Sequence, residues 1–262
     1  MEKILEKIKT QKFKMIFALS VFLILAIIVI IRFAVYQKEG EKKMPYTISK
    51  IIVVSKANRY EKATENTEGE QPAEEDNSMW KFDLVQTNDF YISIEKKEEN
   101  IKKNEKIKSV SIGNIQVEEG PVKGKLQAFM PNSLEGDRYK YSSDYAINES
   151  LTYRGAESSN FQNLQISSNG GIIGFSMANT EVGKYTSGED EEVIYNGKLL
   201  SKLGLSDADV KSKVSFYIVI ELDNGKKYSG KVTVDINCDG LVENGTAQQE
   251  ITDFSSVIFK RV

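Results

Sequence analysis

Val214–Ile236, VSFYIVIELDNGKKYSGKVTVDI, decides how this chain folds. Two runs of alternating apolar residues flank Asp223-Asn224-Gly225, the composition of a tight turn between antiparallel strands. Two registers compete. A two-residue turn at Asn224-Gly225 sets Ile220 against Ser229 and Ile218 against Lys231. A three-residue loop over 223–225 sets Ile220 against Tyr228, Phe216 against Val232 and Val214 against Val234. Strand side chains alternate faces, so a one-residue slip exposes a whole apolar set. The three-residue loop is therefore expected, with Gly225 in the left-handed position of a G1 bulge. Each strand of this hairpin has one dry and one hydrated face, as in a sheet packed on one side.

The second strand runs on into VDINCDGLVE, 234–243, where Asp235, Asn237 and Asp239 alternate and Gly240 follows. An EF-hand calcium loop begins this way. A strand also accounts for the spacing. Val232, Val234, Ile236 and Cys238 share one face, and Lys231, Thr233, Asp235 and Asn237 share the other, with Asp239 keeping their phase. The calcium loop lacks parts: Thr246 stands twelfth, where a bidentate glutamate belongs, and a strand replaces the entering helix. Glu243 fits the ninth position and Leu241 offers a carbonyl. Asp235, Asn237, Asp239 and Glu243 remain the calcium candidates, but the expectation is a strand entering a turn. No metal and no cofactor are expected, and Cys238 should point inward as an inert thiol.

Composition narrows the chemistry further. The 262 residues carry a formal net charge of −3, no histidine and one cysteine. The charge balance gives no reason to expect nucleic acid. Without histidine there is no Ser-His-Asp or Cys-His catalysis and no imidazole ligand. A single cysteine permits no internal disulfide. Ser93-Ile94-Glu95-Lys96 matches S-x-x-K, but on a strand rather than the helical turn that acyl-enzymes need, and no K-T-G accompanies it. Carboxylates are plentiful enough for a glycosidase pair, yet spacing alone brings no two of them to working distance. Trp80, Tyr139, Tyr141, Tyr145 and Tyr153 are candidates for a glycan or peptide groove, although such rings more often pack a core or cover a sheet. No catalytic or cofactor-binding residues are assigned.

Location is read from the N-terminus. Met15–Ile31, MIFALSVFLILAIIVII, holds no charge. A helix over 15–36 spans about 33 Å, enough to cross a bilayer's hydrocarbon core. Arg32 reaches for headgroups from one end, and Tyr36 suits the interface. The run is longer than a signal peptide's apolar region and no small-x-small site follows it, so an uncleaved signal-anchor is expected. Positive charges flank both sides evenly, leaving the positive-inside rule balanced. A short tail ahead of a large domain favours residues 1–14 in the cytoplasm and the rest outside the cell membrane.

Along the chain, 37–45 reads as a charged spacer and 46–54, YTISKIIVV, as a strand. Residues 55–79 gather seven acids and few large apolar groups and read as a mobile acidic loop. Strands are expected around Leu84 and over 90–94. An exposed connection follows at 95–108, and in SVSIGNIQV the apolar phase slips across Gly113-Asn114 as at a bulge. Leu126, Ala128 and Met130 continue the alternation. A hairpin with a two-residue turn at Asn169-Gly170 would pair Ile166 with Ile173 and Leu164 with Phe175. One or two short helical turns fall near 197–212, with Ser206 as N-cap and Asp209 three residues on. The last strand is read in SSVIFKRV, 255–262. The fold class is all-β: a single antiparallel β-sandwich, Ig-like or jelly-roll-like, over 46–262 on an N-terminal transmembrane helix.

NDFYISIEK, 88–96, and EKIKSVSIGNIQV, 105–117, together with the lysine-rich tail, anchor, acidic loop and β domain, resemble uncharacterised single-pass envelope proteins of Gram-positive bacteria. The resemblance implies no activity and no site residues. The reading that follows is a non-enzymatic module that binds or scaffolds an envelope protein or glycan, held to the lipid bilayer through 15–36. The alternatives are a carboxylate-dependent cell-wall hydrolase and a calcium-dependent adhesion module.

Overall fold

A computed structural model of the chain describes residues 2–60, 81–97, 102–131, 145–154, 164–188 and 199–262. Trp80, Tyr139, Tyr141 and positions 61–79 of the acidic stretch lie outside these residues.

Helix α1 runs from Glu2 to Lys43 and carries an apolar span, Lys14–Val35, long enough to cross a membrane. None of that span is buried against the rest of the protein. The helix extends beyond the expected 15–36 at both ends, so most of the stretch read as a spacer continues the helix. Only Met44 and Pro45 separate α1 from β1 (Tyr46–Tyr60). The IIVV run in β1 explains its extension, because β-branched side chains fit a pleated surface. β1 continues through residues 55–60, where the composition predicts the start of the acidic loop. It is paired throughout with β2 (Lys81–Lys96), with Val54 opposite Asp89 and Tyr60 opposite Asp83.

The remaining strands are β3 (Ile107–Glu119), β4 (Leu126–Phe129), β5 (Ser150–Arg154), β6 (Gln165–Ser167), β7 (Gly170–Thr186), β8 (Ser212–Leu222), β9 (Lys227–Ile236), β10 (Thr246–Ile251) and β11 (Lys260–Arg261). Short helices α2 (Leu199–Lys202) and α3 (Asp207–Val210) precede β8, and α4 (Leu241–Asn244) follows β9. One sheet has the order β10-β1-β2-β7-β4, with β6 also on β7, and the other has the order β11-β9-β8-β3-β5. Every strand pairing is antiparallel. The two sheets form a β-sandwich.

The dry faces meet in one core. Phe90 of β2 stacks on its cross-strand partner Phe175 of β7 at 4.5 Å. Phe216 of β8, in the other sheet, meets Phe175 edge-on at 5.1 Å and Phe90 at 6.0 Å. This trio ties the sheets together by burial and by ring-edge to ring-face attraction. Tyr153 closes one side. Its hydroxyl leaves β5 in one sheet to donate to the Gly174 carbonyl of the other (2.5 Å) and to accept the Gly174 N–H (3.3 Å). That backbone unit lies where β7 is flanked by neither β4 nor β6, so the hydroxyl satisfies groups that would otherwise be buried unpaired. Tyr153 is therefore a core residue and lines no groove.

The β8–β9 hairpin takes the three-residue loop: Ile220 opposes Tyr228, Phe216 opposes Val232 and Val214 opposes Val234. Gly225 has φ +77°, the left-handed conformation the loop needs. The phase slip in β3 is a bulge, with Asn114 at φ 48° and the register against β8 shifting between Gly113 and Gln116. The β6–β7 hairpin departs from expectation. Ile166 opposes Gly171 rather than Ile173, and the turn residues are Ser168-Asn169. The two-residue displacement leaves Ile166 and Ile173 on the dry face, so alternation alone does not decide between the registers. The observed register depends on glycine at 171, where a Cβ would strike the Gln165 carbonyl oxygen. Of the expected final strand only Lys260–Arg261 pairs, against Ser229 and Tyr228 of β9.

The sandwich has two distinct ends. At the near end, where α1 enters, lie the β2–β3 and β8–β9 connections. At the far end lie α3, α4 and the close of β9.

Candidate functional site

Among the described residues, the far end gathers carboxylates and hydroxyls around a cleft. β9 stops at Ile236, and the chain turns through Cys238 (φ 55°) and Gly240 (φ 80°) into α4, which Gly245 (φ 76°) ends. Asp207, at the start of α3, fixes this turn. Its carboxylate accepts the Gly240 N–H at 2.6 Å and the Val242 N–H at 2.9 Å. Ser206 caps α3, as expected. Asp209 accepts from both the Ser206 N–H (2.8 Å) and its hydroxyl (2.6 Å), and these bonds hold the Asp209 carboxyl below the usual carboxylate range. Between α2, α3 and α4 opens a cleft of about 430 Å³, lined by Ser201, Ser206, Asp207, Val242 and Glu243. Of its two carboxylates, Asp207 already spends an oxygen on each of two backbone amides.

The calcium candidates are placed as the strand reading requires. Asp235, Asn237 and Asp239 are exposed, while Val234, Ile236 and Cys238 between them are buried. Asp235 pairs with Lys213 of β8 at 3.0 Å and Asp239 with Lys211 at 3.5 Å. The Asn237 N–H donates to Gln249 Oε1 (3.1 Å), and Gln249 Nε2 donates to the Asp235 carbonyl (3.0 Å), so β10 clamps the backbone of this stretch. Glu243 stands on α4 beside the cleft, and Thr246 begins β10. Among the described residues no three His, Cys, Asp or Glu side chains gather as a metal cluster.

Beneath the turn lies a buried polar group that the sequence reading missed. Gln86 and Asn88 of β2 and Ser55 of β1 all face the core with Cys238. The Ser55 hydroxyl donates to Asn88 Oδ1 at 2.7 Å, and Gln86 Nε2 donates to the Val210 carbonyl at 2.9 Å and lies 3.4 Å from Cys238 Sγ. Gln86 Oε1, Asn88 Nδ2 and Ser212 Oγ have no hydrogen-bond partner among the described residues. Burial pushes the Cys238 thiol up to about 11, only partly offset by its contacts with Ser55 and Gln86. The group is therefore neutral at physiological pH and a poor nucleophile. The signal was present in β2: Gln86 and Asn88 share the inward phase of Leu84, Phe90 and Ile92.

The other motifs are not assembled. Ser93 and Lys96 lie on β2, an extended strand, which denies them the helical turn that S-x-x-K chemistry uses. Tyr145 is exposed and Tyr153 is buried. The chain matches no protein-family model, and neither a curated protein nor a solved structure is similar to it.

Proposed function

We propose that the protein is a membrane-anchored, non-enzymatic β-sandwich that binds or scaffolds an envelope protein or glycan, with its N-terminus cytoplasmic and the sandwich outside the cell. The observation that carries this reading is the join between anchor and domain. An exposed apolar span passes through one continuous helix into the first strand of a sandwich, with two residues between them. This design holds a rigid body at a membrane and presents its far end. The commitment of Asp207 to α4 and of Asp209 to α3 supports a binding role over a catalytic one. The test is photo-crosslinking in intact cells from a residue at the far-end cleft, with a site on the near end as control. A single recurrent partner captured only from the cleft supports the proposal. Capture of no partner from the cleft across growth conditions counts against it.

The cleft itself favours one second reading, a carboxylate-dependent hydrolase, because Asp207 and Glu243 both line it. Release of soluble fragments from cell-wall glycan by the full chain, abolished by Glu243→Gln, would establish that reading in place of the first.

A further inference from the structure

We propose that the near end of the sandwich is a second membrane contact, whose lysines bind the anionic phospholipid headgroups of the bilayer that α1 crosses. This rests on the reading of α1 as a membrane anchor. It concerns a different surface and a different chemistry.

The join sets the distance. α1 continues eight residues past Val35, the end of its apolar span, to Lys43. At helical rise that is about 12 Å. The headgroup layer on each side of a bilayer takes up about 5–8 Å of it. The join is tied to the sandwich: Met44 is buried, and the Lys97 N–H donates to the Pro45 carbonyl at 2.8 Å, linking the β2–β3 connection to the foot of the helix. β11 lies beside α1 on the same end. The near end is thus held within about one Debye length of the headgroup surface, where charge attraction survives physiological salt.

The charge on this end is of the matching sign. Lys43, Lys96, Lys97, Lys102, Lys103 and Lys260 are all exposed there. The connection from 95 to 108 carries six lysines against four glutamates, in a chain whose net charge is −3. Glu221, the half-buried acid nearest the end of β8, is already bridged by Lys108 at 2.7 Å and Lys227 at 3.3 Å. The carboxylates Asp207, Asp239 and Glu243 stand at the opposite end. The near end also carries Glu95, Glu105 and Asp223, which the lysines of the 95–108 connection, with Lys43 and Lys260, outnumber; at the far end Lys211 bridges Asp239. Each lysine close to an anionic surface strengthens the association constant about fivefold, and several together bias the tilt of the sandwich on its anchor.

The test places the full chain in nanodiscs of phosphatidylcholine alone and of phosphatidylcholine with about one-third phosphatidylglycerol. A dye on Asn104→Cys reports the near end, a dye on Asp239→Cys reports the far end, and a headgroup-attached quencher reads proximity. Buried Cys238 remains unlabelled. Quenching at Asn104→Cys should rise at least twofold with the anionic lipid. The rise should vanish in about 0.5 M salt and in a Lys102→Glu/Lys103→Glu variant, while Asp239→Cys stays unquenched throughout. Equal quenching in both lipids, by protein that co-elutes with the discs, overturns the surface and leaves the anchor standing. Protein that enters neither disc overturns the anchor and the surface with it.

Discussion

Phe216→Ala removes a ring that meets both Phe90 and Phe175 across the two sheets. Phe216 is fully buried. Truncating a buried phenylalanine to alanine costs about 3–5 kcal/mol through lost transfer energy and the residual cavity. Its edge contacts at 5.1 and 6.0 Å add a further share of about 0.5–1.5 kcal/mol each. These contributions overlap, so the expected loss is about 4–5 kcal/mol out of a total stability of roughly 5–15 kcal/mol. The neighbouring Tyr217 projects from the opposite, hydrated face of β8 and is 37% exposed, so Tyr217→Ala should cost under about 1 kcal/mol. Phe216→Leu, which keeps most of the volume, should fall between the two. The assay is urea unfolding of the full chain in detergent, followed by the reactivity of Cys238, which is buried until the sandwich opens. A loss below about 1.5 kcal/mol for Phe216→Ala, or equal losses at 216 and 217, would refute the packing of the two sheets through this trio.

Two further outcomes follow from the far end. Cys238 titrates near 9.0 when unperturbed and near 11 in the fold, so its contribution is fully present below pH 9 and fades as pH rises toward 11. Between pH 9 and 10 the wild type should lose about 1 kcal/mol more than Cys238→Ser. Tyr46 and Tyr153, also raised by burial, join above that window. Parallel urea curves at the two pH values measure the difference, and identical pH slopes would place the thiol in water. Asp207→Ala strips the acceptor from the Gly240 and Val242 amides and should cost about 1–2 kcal/mol, with Asp207→Asn losing less. A stable Asp207→Ala protein would free that carboxylate for the catalytic role that its hydrogen bonds now argue against.

What the sequence could convey depended on whether a slip changes the face. At 214–236 a one-residue error would have turned Ser229 and Lys231 inward, so the register was legible. At 164–175 a two-residue error left Ile166 and Ile173 equally buried, and the close backbone approach that needs glycine at 171 is something alternation does not report. β10 escaped because TAQQEI has no apolar period: it is an edge strand whose Gln249 clamps backbone rather than filling the core. The strand under 55–60 was hidden by the composition of the residues that follow it. The solvent face of Asp235, Asn237 and Asp239 was legible from period two. The polar group around Cys238 was legible only in part: Gln86 and Asn88 share the inward phase of β2, but Ser55 comes from β1 and Cys238 from the turn after β9, and only the folded sheets bring them together.

Impermeant maleimide labelling of intact cells tests anchor and sandwich together. The native chain carries only the buried Cys238, and Ser256→Cys adds one exposed thiol. The account predicts that Ser256→Cys labels in unbroken cells while the native chain stays silent until denaturant is added. Labelling of Ser256→Cys only after permeabilisation would put the domain on the wrong side of the membrane, and labelling of the native chain without denaturant would deny Cys238 its place inside the fold.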